Sequence, residues 1–174
     1  MTNEEKQLLL KDLCARLPYG VKGRVYAETT NGEYDINGDM IFFDSPFDVI
    51  LDDINTSTEE LHVVAIGNED TVDFIEDEQT CGDPYTIDEF KPYLRPMSSM
   101  TEEERDEIEE MSHGWFYVNE DGEIFPMGRL TNSGEFEDAI LPALEWLNKN
   151  GFDYCGLIWK GLALEAPEGM YKED

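Results

Sequence analysis

Basic residues are what this chain holds least of relative to its acids. Twelve Lys and Arg stand against 41 Asp and Glu, a formal charge of −29. Between Arg24 and Lys91 there is no Lys or Arg at all, yet the same stretch carries nineteen acids, from Glu28 to Glu89. Such an imbalance repels phosphate backbones and anionic lipid surfaces, so the sequence argues against direct binding to nucleic acid or membrane. Carboxylates closer than the Debye length of about 8 Å at physiological salt also repel one another, and added salt is expected to stabilise the fold.

Cysteine and histidine are scarce as well. Cys14, Cys81 and Cys155 are odd in number, far apart and in no C-x-x-C spacing, and His62 and His113 are the only histidines. No disulfide framework is expected, which suits a reducing compartment. A zinc-type site wants clustered His and Cys, and none is spelled out. Cys81-Gly82-Asp83-Pro84 reads as a turn rather than as a nucleophile activated by His62. No apolar run reaches the ~18 residues a bilayer span needs. Met1-Thr2-Asn3-Glu4-Glu5 lacks the basic and apolar regions of a secretory signal, so the expected location is cytoplasmic. Gly-rich phosphate loops, G-x-S-x-G and H-E-x-x-H are all missing.

What is there is the material of a core, with 40% hydrophobic and 11% aromatic residues. That composition argues for packing over disorder. A length of 174 residues suits one domain. A subdivision falls naturally into a helix plus acidic β-rich part (1–90), a Pro-containing connector (91–100) and an α+β part (101–174). Trp115, Trp146 and Trp159 read as core or interface anchors.

The expected fold is α+β. Thr2 or Asn3 caps an N-terminal helix with Glu4 and Glu5 in its first turn and Leu9, Leu10, Leu13 and Leu17 on one face. Pro18 stops it, and Cys14 on it is expected to be packed. From Tyr19 to Glu89 the pattern turns to short strands. These are Val21 to Ala27, Met40 to Phe43, Leu61 to Ile66 and Val72 to Ile75, with turn signals at Asn31-Gly32 and Asn37-Gly38-Asp39. They predict an antiparallel meander, closed into a small barrel in one version. Phe47 to Leu51 suits either a helical turn or a strand.

Two prolines hold residues 91–100 extended. Thr101 and Glu104 form a capping box for a polar surface helix from Glu102 to Met111 that buries only Ile108 and Met111 and ends at Gly114. Trp115 to Val118 and Glu123 to Phe125 flank a hairpin turn. Phe136, Ile140, Leu144 and Leu147 mark an amphipathic helix ending at Asn150-Gly151, in which Pro142 is a kink or the true start. Asp153 is expected to cap a last short helix through Lys160, followed by extended Leu162 to Leu164 and a polar tail from Pro167 to Asp174.

Several segments together resemble a family of bacterial proteins from gut anaerobes and their prophage-like elements. They are Ala15 to Lys22, Lys91 to Glu104, Trp146 to Asn148, Phe152 to Tyr154, Gly156 to Ile158 and Lys160 to Tyr171. Cys155 departs from the pattern, where an arginine or another polar residue is expected. The family carries no assigned activity, so the resemblance brings no catalytic residue with it. What it implies is an accessory protein of a mobile element.

One segment invites a metal test. Glu33, Asp35, Asn37, Asp39 and Asp44 fall at positions one, three, five, seven and twelve of a calcium loop that puts Gly38 at six. Position twelve should be a bidentate Glu, and both flanks read as strand, so a hairpin turn is the better reading. Asn119-Glu120-Asp121-Gly122 is a turn, with Tyr117 and Gly128 at the end positions. No catalytic, cofactor-binding or metal-binding residue is therefore assigned. The leading expectation is a non-enzymatic regulatory protein that binds a basic protein surface through its acids. A nucleic-acid mimic acting on a DNA-processing or defence enzyme is the second, and a carboxylate-pair hydrolase the third.

Overall fold

The computed structural model describes residues 1–65, 84–126 and 140–171, and the chain divides into two compact units, Met1–Pro92 and Tyr93–Asp174. The class is α+β.

In the first unit, α1 (Asn3–Arg16) opens on the capping box of Thr2 and Glu5. It buries Leu9, Leu13, Asp12 and Arg16, while Cys14 is exposed, contrary to its expected packing, because it points off that face. Pro18 turns the chain into a single 3₁₀ turn, Leu17–Tyr19. Then come β1 (Lys22–Tyr34), β2 (Met40–Asn55), β3 (Glu60–Ala65), β4 (Tyr85–Thr86) and the start of β5 (Lys91–Leu94).

Pairing is antiparallel, in the order β4-β3-β2-β1-β5 within this unit, so the sheet is open and does not close into a barrel. The meander is right, but two of its strands are long: β1 has 13 residues and β2 has 16. Phe47 to Leu51 is strand. Pro46 is tolerated within β2 because, among the described residues, β3 pairs with β2 only from Val49 onward, leaving Pro46 a partner on one side.

Only one of the two turn signals is the turn. Asn31-Gly32 is absorbed into β1, where the register slips between Thr30 and Tyr34. The reversal comes at Asp35 to Asp39. There the Asp35 carboxylate accepts the amides of Asn37 (2.8 Å) and Asp39 (2.9 Å), and Gly38 supplies the left-handed φ of +88°. The chain's own capping chemistry thus outcompetes the Asn-Gly pair. Val72 to Ile75 and Cys81 lie outside the described residues. The buried apolar side chains of this unit include Leu9, Leu13, Val21, Val25, Val49, Leu51, Leu61, Ile87 and Phe90.

The second unit begins inside β5, whose Tyr93 and Leu94 pair in parallel with Leu164 and Glu165 of a two-residue strand, β8. A 3₁₀ turn (Met97–Ser99) leads to α2 (Glu102–Met111), capped by Thr101 and Glu104 as its sequence dictates, with Ile108 fully buried. The antiparallel hairpin β6 (Phe116–Val118) and β7 (Ile124–Pro126) follows. Next comes α3 (Leu141–Lys149), with Pro142 in its first turn, where a missing amide costs nothing. Phe136 lies outside the described residues. Met100, Ile108, Val118, Ala143, Leu147 and Phe152 form the core cluster.

Two expectations for the C-terminal part need correction. Asp153 does cap, accepting the amides of Leu157 and Ile158 (both 2.8 Å), but what it caps is a run of turns rather than a helix. The segment from Pro167 is not a free tail either, because Tyr171 donates its hydroxyl to the Tyr93 carbonyl at 2.6 Å. The Tyr171 ring also lies where a Cβ on Gly151 would fall, about 2.5 Å from its nearest atom. No helix among the described residues is long and apolar enough to cross a membrane.

Candidate functional site

The acid excess can be followed residue by residue. In the first unit, Asp48 pairs with Arg24 at 3.0 Å, and Asp88 receives the Lys6 ammonium. In the second, Arg95 grips Glu104 with two bonds of 2.8 and 2.9 Å. Even if each of the 12 bases engaged a different acid, 41 − 12 = 29 carboxylates would have no base of their own. Other carboxylates among the described residues, such as Asp35 and Asp153, accept backbone amides instead of pairing with a base.

Hydrogen bonds decide which carboxyls are held ionised. The Asp39 amide, with those of Asn37 and Gly38, keeps Asp35 below the ordinary carboxylate range. The Lys6 hydrogen bond does the same for Asp88. At Glu104, burial pushes the carboxyl up, but the Arg95 guanidinium and the Thr101 amide and hydroxyl outweigh it and leave it lowered. These groups are anchors, and they are poor proton donors at neutral pH.

The calcium-loop residues resolve into a hairpin. Glu33 and Asp39 flank the turn and are exposed, and Asp35 spends its oxygens on Asn37 and Asp39. Asp44 stands four residues into β2, in register with Glu28. No group of three or more His, Cys, Asp or Glu side chains suited to a metal occurs among the described residues. His62 lies exposed on β3, and His113 is exposed beyond α2 with φ +51°.

From Val25 to Asp48, β1 and β2 pair only with each other among the described residues, since β5 stops at Arg24 and β3 at Val49. The end of this ribbon is apolar as well as acidic. Ile36, at the turn, is 100% exposed, Tyr34 60%, Met40 39%, and Tyr26 further back 52%. Taken singly, each of these is an ordinary strand or turn residue, so nothing in its own position marks it. The available signal was an isoleucine placed between Asp35 and Asn37-Gly38, in a turn that has no interior to bury it.

The second unit has a cleft of about 330 Å³ between the Arg95–Thr101 segment and the Glu165–Tyr171 segment. Its polar groups are largely engaged within the protein. Arg95 holds Glu104 and lies 4.0 Å over the Phe152 ring, Ser99 donates to Pro96, and Tyr171 donates to Tyr93. The cleft thus provides shape, with Glu165 and Glu168 exposed along its lining. Of the tryptophans, Trp146 stacks on Phe152 at 5.6 Å and Trp115 is half-buried, as anchors should be. Trp159 is 89% exposed and belongs to no core.

No family model, curated protein or solved structure matches this chain.

Proposed function

We propose that this protein is a non-enzymatic accessory protein that acts by binding a basic macromolecular partner, a protein, through its carboxylate-rich surface. The observation that carries the reading is the unbalanced charge on a folded scaffold. Residues 25–90 hold nineteen acids and no Lys or Arg, and the described part of that stretch is an ordered antiparallel sheet rather than a solvating tail. Charge of one sign fixed on a sheet raises the encounter rate with an oppositely charged surface and rejects phosphate backbones. The resemblance to proteins of prophage-like elements supports an accessory role in the cytoplasm of a bacterial host.

The test is a pull-down with the full chain, followed by reconstitution with the identified partner purified. Binding should weaken steeply as salt rises from about 0.05 to 0.5 M, as screening of exposed charges requires. A purified partner whose affinity ignores salt would remove the electrostatic reading.

A further inference from the structure

Deepening that reading, the geometry points to the free end of the β1–β2 ribbon as the docking element, seated in a partner protein's cleft that is basic at its rim and apolar inside. Strand pairing, exposure and charge converge on it. Among the described residues the ribbon has no strand neighbour from Val25 to Asp48. Its end carries Tyr34, Ile36 and Met40 exposed together around one turn, whereas Val25, Val49 and Leu51, buried among the described side chains of β1 and β2, lie toward the other end of the ribbon. Ile36, with its whole surface exposed, adds nothing to the described core of this unit.

Charge selects the occupant. Residues 25–48 contain Glu28, Glu33, Asp35, Asp39, Asp44 and Asp48 and no Lys or Arg. A second copy of the chain would bring the same acids to the contact and a further formal charge of −29, so self-association through this end is opposed. Nucleic acid is repelled for the same reason. A cationic protein cleft satisfies both features at once: its basic rim meets the ribbon's carboxylates, and its apolar floor receives Tyr34, Ile36 and Met40. The apolar contact supplies what charge alone lacks, a component of affinity that survives salt.

The experiment uses the full chain and two polymer probes, poly-lysine and a lysine–tyrosine copolymer, with affinities measured by fluorescence anisotropy across a salt series. The wild-type protein should prefer the copolymer by at least fivefold at 0.15 M salt, and the triple variant Y34S/I36S/M40S should lose that preference. All three side chains are exposed, so far-UV circular dichroism and the melting temperature should be unchanged. Two charge variants remove three acids each: E33Q/D39N/D44N on the ribbon and E107Q/E109Q/E110Q on the exposed face of α2. The ribbon variant should weaken binding of both polymers at least fivefold more than the α2 variant.

Equal losses from the two charge variants, or a copolymer preference that survives the triple variant, would overturn the ribbon as docking element and leave the acidic-surface reading standing. Failure of the wild-type protein to bind either polymer at 0.05 M salt would remove both. A dimer in sedimentation that disappears in the triple variant would overturn the cationic partner in favour of a second copy.

Discussion

Glu104 answers to several groups at once. It takes both bonds from Arg95, accepts the Thr101 amide at 2.8 Å, and lends its own amide to the Thr101 hydroxyl. One side chain therefore closes a helix cap and an ion pair together, and that ion pair places Arg95 over Phe152 in the core cluster. Charge-assisted bonds of this kind contribute about 1.5–3 kcal/mol, so E104Q should destabilise the second unit by about that amount at pH 7. Its folded pKa lies below the unfolded one. The stabilisation is thus fully present above the unfolded value of about 4.3 and is lost as pH falls through the folded value. The gap between wild type and E104Q should be wide at pH 7 and should narrow as the pH falls below the unfolded value. Tryptophan fluorescence reads it out, because Trp115, Trp146 and Trp159 all lie in that unit. A gap that does not narrow as the pH falls would show that shape rather than ionisation is at stake.

Within α1, a charged pair is buried on the same face as Leu9 and Leu13. Asp12 and Arg16 stand one turn apart, bonded at 2.7 and 3.1 Å, with their side chains 1% and 2% exposed. Removing one partner of a buried pair leaves the other charge stranded, at a cost of about 3–5 kcal/mol. D12A is therefore expected to shift the urea midpoint of the far-UV signal strongly, whereas a surface change such as E4Q should shift it little. A D12A midpoint within error of wild type would mean that Arg16 finds water on relaxing. The helices were legible because their signals are local: a capping box needs only Thr and Glu three apart, and Pro18 needs no distant partner. Leu9, Leu10 and Leu13 announced the buried face of α1, and Asp12 and Arg16, three and seven residues past Leu9, fall on it at helical spacing, but charge at those positions gave no sign of burial. The strands were legible as strands, while the length of β1 was not. Asn31-Gly32 is a strong turn signal by itself, but the register that pairs Lys22 with Ile50 through Thr30 with Phe42 carries the chain past it to the turn that the Asp35 carboxylate closes.

Net charge acts on the chain in its entirety. With −29 to confine, folding works against self-repulsion that screening relieves, so the melting temperature should rise from 0.01 to 0.5 M sodium chloride. Each 1 kcal/mol of relieved repulsion raises it by about 2–4 °C for a chain of this length. A melting temperature that is flat or falling with salt would mean that Arg24–Asp48, Lys6–Asp88 and Arg95–Glu104 matter more than the unpaired acids. Composition and local pattern determined the acidity, the α+β class, the two capped helices and the hairpins, because each follows from residues within a few positions of one another. Tertiary structure alone decided that the sheet stays open, that Tyr171 returns to Tyr93, that Cys14 faces out and that Ile36 is left in water. Those outcomes depend on which strands meet and which side chains are covered by distant parts of the chain, and pairing across such separations is set by the packed whole rather than by any one segment.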